Sequence, residues 1–162
     1  MFYQTRGIKP LVCLFKNLEK QHRVQDKVKI RPIKGFNCFS ILYVAGVKIR
    51  LFPVLASVCY DLEGSGLNEL WSSRLNRQAN TMFFGVTVSK RINKKAVNRN
   101  RIKRLMRESV RLVIDEIVTA GEEIQIKTMI LSWKSTIAKP ADIALKDVLP
   151  LIRETITKAN NR

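Results

Sequence analysis

Acidic residues are scarce in this chain: 13 Asp and Glu stand against 30 Lys and Arg, a formal charge of +17 with a pI near 10.3. Such an excess weakens folding through self-repulsion and draws the protein to phosphate polymers or anionic surfaces. Histidine is nearly missing. The only one, His22, lies in a stretch without sustained periodicity, so no Ser-His-Asp set is expected. Cys13, Cys38 and Cys59 are odd in number and none stand in a Cys-x-x-Cys pair. They are too few and too spread for zinc and read as reduced, apolar side chains of a cytoplasmic protein. No apolar run approaches the ~20 residues needed to cross a bilayer. "LVCLF" (11–15), set between Pro10 and Lys16, is too short for a signal-peptide core. No cluster of carboxylates suggests a two-metal nuclease. The expectations are therefore no catalytic residue, no metal-binding residue, no cofactor held by the protein, no membrane partner and no export.

What is present can fold. With 46% hydrophobic and 27% charged residues in a chain of 162, one globular domain is expected. Residues 1–28 read as an N-terminal extension and 29–162 as the domain. Within 29–46 a short helix can be drawn. Pro32 and Gly35 keep it from starting early, Gly46 suits its end, and Phe39, Leu42 and Tyr43 share one face. "RLFPVLASVCY" (50–60) reads as a strand with Pro53 at an edge or near its start. Residues 61–80 read as a long loop, and "TMFFGVTVSK" (81–90) as a second strand. In that strand Met82, Phe84, Val86 and Val88 alternate with Phe83, Gly85, Thr87 and Ser89. A helix over about 96–118, a strand over 123–135 and a closing helix over 139–159, kinked or divided at Pro150, complete the pattern. The order indicates an α/β (α+β) sandwich with a single sheet packed against helices.

The helix at 96–118 holds the charge. "KKAVNRNRIKRLMRES" (94–109) carries seven basic residues and one glutamate. From Ser89 to Arg111 ten basic residues face Glu108 alone, a local +9, more than half of the total excess. At the helical repeat, Ile102, Leu105, Met106, Ser109 and Val113 fall on one side, suited to docking on the sheet. Arg99, Lys103, Arg107 and Arg111 form an i, i+4 row on the other, flanked by Arg101 and Arg104. A merely solvated face mixes Glu with Lys, because like-charged neighbours repel by ~0.2–0.5 kcal/mol per pair. The arginine fork also suits phosphate better than solubility requires. Nucleic acid is the expected partner. RNA read by shape and backbone fits better than a DNA groove, since the helix spends its apolar side on docking.

"GVTVSKRINKKAVNRNRIKRLMRES" resembles the signature of the bacterial ribonuclease P protein component, a basic helix opened by an Arg-Asn-Arg run, here Arg99, Asn100 and Arg101. "FSILYVAG" (39–46) is similar to that family's first helix, and the strand ending "SWKS" and the last helix take the expected places, so that roughly residues 30–160 are covered. The resemblance implies an αβββαβα topology of the ribosomal protein S5 domain 2-like kind. It also implies that chemistry belongs to a catalytic RNA subunit, which uses magnesium (Mg2+) to remove the 5′ leader of precursor tRNA by hydrolysis. Partners would be that RNA and precursor tRNA, with no obligate protein partner. Carried onto this sequence, it assigns RNA-subunit contact to Lys90, Arg91, Lys94, Lys95, Arg99, Asn100, Arg101, Lys103, Arg104 and Arg107. It places Phe39, Tyr43, Thr87 and Ser89 in a leader-binding cleft between the first helix and the open face of the sheet.

By residue pattern alone Phe39 and Tyr43 fit core packing as well as base stacking, and Trp133 fits either role. Lys48 and Arg50 suit the rim of the cleft. Several features depart from the family pattern: the extension, the loop at 61–80, a turn "INKK" without glycine, and Ala56 and Ser57 where relatives place an aromatic. A structural RNA-binding protein such as a ribosomal one and a DNA-binding regulator using 96–111 are the competing readings.

Overall fold

The computed structural model describes residues 28–33, 36–60 and 80–162, without the side chains of 36–38. The elements in chain order are β1 (Lys29–Pro32), α1 (Phe36–Ala45), β2 (Val47–Leu51), β3 (Val54–Cys59), β4 (Thr81–Val88), α2 (Ala96–Thr119), β5 (Thr128–Trp133) and α3 (Leu145–Asn160), with a 3-10 turn at Pro140–Asp142. The strands form one mixed sheet in the order β1-β4-β5-β3-β2. β1, β4 and β5 run parallel, β3 runs antiparallel to β5, and β2 runs antiparallel to β3. From α1 onward the order is the expected αβββαβα, and β1 is an addition ahead of it. Its four residues, "KIRP", pair as Lys29 with Thr81 through Pro32 with Phe84. Pro32 is tolerated because β1 is an edge strand.

The segment expected as one strand at 50–60 is the end of a hairpin. Phe52 and Pro53, joined by a cis peptide, form the turn between β2 and β3, and the register sets Leu51 opposite Val54. The strand expected over 123–135 pairs only from Thr128, because Glu123 and Gln125 are bonded elsewhere. Asn160 accepts from the Gln125 N–H at 3.0 Å and donates to the Glu123 carbonyl at 2.9 Å. The closing helix divides at Ile143–Ala144, ahead of Pro150, which sits inside an unbroken α3. Two acids cause the division: Asp142 accepts from the Lys139 N–H at 2.7 Å and Asp147 from the Ala144 N–H at 2.8 Å, so each starts a separate helical turn.

Alternation along the strands builds two layers. Met82, Phe84 and Val88 of β4, Met129, Leu131 and Trp133 of β5, and Val54, Ala56 and Val58 of β3 are buried with Ile102, Met106 and Val113 of α2 and Ile152 and Ile156 of α3. Val28 packs against this core as well. The other face holds a smaller cluster of Leu42, Cys59, Phe83 and Ile130, with Phe39 and Tyr43 half-buried beside it. A ten-residue α1 spans ~15 Å against ~27 Å for an eight-residue β4, so it roofs only part of that face. Among the described residues the remainder is open.

Candidate nucleic-acid interface

That open part is a cleft of about 380 Å³, lined by Phe39, Ser40, Tyr43, Val44, Thr87, Ser89, Ser132, Trp133 and Lys134. The four cleft residues expected from the sequence thus share one cavity. Its walls owe their position to missing or small side chains. A Cβ on Gly85 would sit 2.5 Å from Cε2 of Phe39, so glycine is what lets that ring close on β4. At the far end of α1, the Ser57 hydroxyl lies 3.1 Å from both the Leu42 and Tyr43 carbonyls, while the Lys48 ammonium donates to Ser57 Oγ at 2.8 Å. Lys48 also stands 4.4 Å from the centre of the Tyr43 ring, holding it by cation–π attraction. Lys48 therefore braces a cleft wall, and Arg50 is exposed. Ser57 stitches α1 to β3, and Ala56 is buried in the main core, so neither stands where an aromatic would stack. Trp133 belongs to that core too, at the strand end that borders the cleft.

Phe39 and Tyr43 each pack on the smaller cluster, and each keeps a surface toward the cavity. Cys59, beneath them, is buried, and burial pushes its thiol above the ordinary value, outweighing the hydrogen bond with Thr128 and the charge of Lys48. It is a protonated, unreactive side chain. Cys13 and His22 lie outside the described residues.

From the same strand ends the chain turns through Lys90, Arg91 and Ile92 into α2. Lys90, Arg91, Lys94 and Lys95 are exposed, as are Asn100, Arg101, Arg104 and Arg107 along the helix. Arg111 is exposed within 3.6 Å of Glu108. The expected docking residues are all buried, but the buried arc is wider than expected: it adds Asn98, Val110 and Ile114. The helix packs against α3 as well as the sheet, so it hides two flanks. The i, i+4 row is therefore not a uniform outer face. Arg99 and Lys103 are half-buried, and Arg104 with Arg101 and Arg107 stands outermost. Arg99 turns back on its own chain, donating from Nη1 to the Asn93 carbonyl at 3.0 Å and the Lys94 carbonyl at 2.6 Å. No acidic side chain lies in the first turn of α2 and none caps it, although cations at this positive end of the helix are unfavourable. An anion would offset both.

Two asparagines went unnoticed in the sequence. Asn93 donates to the Ser135 carbonyl at 2.9 Å and accepts from the Ile137 N–H at 3.0 Å. Asn98 donates to the Ile137 carbonyl at 2.8 Å. Together they lash residues 135–138 to the start of α2 and shape a notch lined by Arg91, Lys94, Lys95 and Lys134 among others. The available signal was that Asn98 falls on the apolar stripe, four residues before Ile102 and seven before Leu105. Among the described residues no group of three His, Cys, Asp or Glu could hold a metal ion, and no helix is long and apolar enough to cross a membrane.

Sheet, helices and cleft define a class, the single-sheet α+β sandwich with one helix on one face and two on the other. The same fold occurs in the Staphylococcus aureus RNase P protein, at a TM-score of 0.52 and 19% identity over 79% of this chain and 94% of that one. A mutant of the S. aureus protein with defective mRNA degradation activity matches at 0.52 and 19%, over 90% and 95%. In sequence, the Ribonuclease P family model matches residues 66–154, more than half of the chain. The chain belongs to the ribonuclease P protein family. The ribonuclease P protein component of Clostridioides difficile (strain 630) is 37% identical over 65 residues, 40% of this chain and 55% of that protein. The chain thus spans about half the length of the curated relative it matches.

Proposed function

We propose that this chain is the protein subunit of ribonuclease P. It binds the catalytic RNA subunit and the 5′ leader of precursor tRNA and assists the Mg2+-dependent hydrolysis that yields the mature 5′ end. Chemistry resides in the RNA, whose metal ions act on the scissile phosphodiester. The protein contributes charge and a groove. Arg101, Arg104 and Arg107 lie along the RNA subunit's sugar–phosphate backbone, with Lys90, Arg91, Lys94 and Lys95 at the entry turn and Asn100, Lys103 and Arg99 completing the surface. Phe39 and Tyr43 stack unpaired leader bases, a contact worth ~1–3 kcal/mol per base and tolerant of sequence, as a general processing enzyme needs. Thr87 and Ser89 line the polar side of the same groove. The carrying observation is that these four residues, distant in sequence, share one cleft directly beside the basic turn.

The test is reconstitution with the cognate RNA subunit, measuring cleavage of precursor tRNA at low magnesium with and without the protein. Added protein is expected to raise cleavage and precursor affinity, and the protein alone is expected to cut nothing. No change on addition, or hydrolysis by the protein unaided, refutes the reading.

A further inference from the structure

Along α2 the charge changes sign. Residues 89–107 hold nine basic residues and no acidic one, whereas 108–123 hold five acidic residues and only Arg111. Those five are most of the eight acidic residues among the described residues, so the scarce acids are gathered rather than spread. Helix electrostatics favours the reverse arrangement, with anions at the N-terminal end and cations at the C-terminal end. α3 follows that preference, carrying Asp147 in its first turn and Lys158 in its last. α2 opposes it at both ends, with no acidic residue in its first turn and no basic one in its last. Phosphate accounts for the cations at the start; the acids at the end answer something else. Internal pairing does not explain them all. Glu108 lies 3.6 Å from Arg111 and Glu116 lies 2.8 Å from Arg153. Asp115, Glu122 and Glu123 are exposed and form no ion pair among the described residues. They nevertheless stand among cations. Asp115 shares a groove with Lys29, Arg31 and Arg111, and Glu122 and Glu123 share another with Lys127. All four cations are exposed. Without the acids they would prolong the basic surface past Arg107, over the edge strand β1 and round to the start of β5.

Resting on the RNA-subunit reading above, we propose that Asp115, Glu122 and Glu123 set the boundary of the RNA surface. They repel a phosphate chain from the C-terminal half of α2, so the protein grips RNA by the N-terminal half alone and seats in one direction. Repulsion of this kind gives selectivity. An uninterrupted basic surface would take any polyanion, whereas a bounded one takes RNA whose backbone turns away beyond Arg107. Distance keeps the two halves independent. Eight residues separate Arg107 from Asp115, about 12 Å along the axis, more than the screening length of about 8 Å at physiological ionic strength. The acids therefore hardly weaken the grip of Arg101 and Arg104, yet they meet at close range any strand that continues past it.

The experiment uses the full chain carrying Asp115→Asn, Glu122→Gln and Glu123→Gln together. Binding is measured to the cognate RNA subunit and to duplex RNA of arbitrary sequence. The three side chains are exposed and unpaired, so the variant should remain folded, as circular dichroism would show. Affinity for the arbitrary duplex is expected to rise roughly tenfold, with a salt slope steeper by about one unit or more, as Lys29, Arg31, Arg111 and Lys127 meet phosphate. Affinity for the RNA subunit is expected to change by less than about twofold, so the ratio of the two falls roughly fivefold. Asp115→Lys alone should move that ratio in the same direction. Acids that only relieve crowding among the cations would lower the thermal midpoint on removal and leave the ratio unchanged. An unchanged ratio, in a protein that prefers its RNA subunit, overturns the boundary and leaves the ribonuclease P reading standing. Weaker binding of the RNA subunit by the triple variant also overturns the boundary, since the acids would then be contacts. An unaltered protein without preference for the RNA subunit overturns both.

Discussion

At Gly85 a single methyl group would contest the space that the Phe39 ring occupies, 2.5 Å from its Cε2. Gly85→Ala should therefore push the ring off β4. Overpacking of this kind costs about 1–3 kcal/mol, read as a lower urea midpoint. The displaced ring should also weaken precursor affinity more than mature tRNA affinity. Arg99 and Arg104 carry the same charge in different surroundings, and their replacements should separate. Arg99→Ala removes two hydrogen bonds to the entry turn and should lower stability by roughly 1–3 kcal/mol. Arg104→Ala, at an exposed site, should leave stability within about 0.5 kcal/mol and reduce the salt slope of RNA-subunit binding by about one unit. Titration belongs at this scale too. Burial raises both the Cys59 thiol and the Tyr60 phenol above their ordinary values. A folded state that holds its proton longer than the unfolded chain has its full contribution below the unfolded pKa and loses it as pH rises through the folded one. Thermal stability should fall in the alkaline range, above the ordinary thiol pKa of about 8.5, and Cys59→Ser should shift that fall upward.

Among the elements, α2 was the most legible from its sequence and also the most instructive where the reading fell short. Ile102, Leu105, Met106, Ser109 and Val113 were recognisable as a docking side because a stripe at helical spacing needs only local sequence. Val110 and Ile114 were not, because they are buried through a second neighbour, α3, whose placement no local pattern reveals. Arg99 belongs to the outer row by spacing, yet it turns back to the Asn93 and Lys94 carbonyls, a contact that helical spacing does not reveal. Residues 50–60 read as one strand because β-branched and aromatic residues run through them; only the pairing of Leu51 with Val54 shows that the chain reverses at Pro53. The closing helix expected over 139–159 divides ahead of α3, where Asp142 and Asp147 each cap a start, a signal present in the sequence but outweighed there by Pro150. Asp147→Ala should cost about 1 kcal/mol through loss of its bond to the Ala144 N–H, measured by denaturant unfolding.

For the molecule as a whole, the +17 charge acts in two opposed directions. Salt screens repulsion between the crowded cations, so adding it should raise the melting temperature of the free protein while loosening its complex with RNA. A melting temperature that falls with added salt would show that the surface charges are mutually compensated. Composition and local spacing determined by themselves that the chain is basic, that its charge gathers on one helix, and that strands and helices alternate in an α+β order. These properties depend on residue type and on neighbours a few positions away. Only the tertiary structure decided that Phe39, Tyr43, Thr87 and Ser89 would line one cleft, that Lys134 would join it to the notch beside α2, and that Gly85 would be the residue making room. Such juxtapositions are set by sheet order and helix packing between segments far apart in the chain, where a one-residue change of register would turn each side chain to the opposite face.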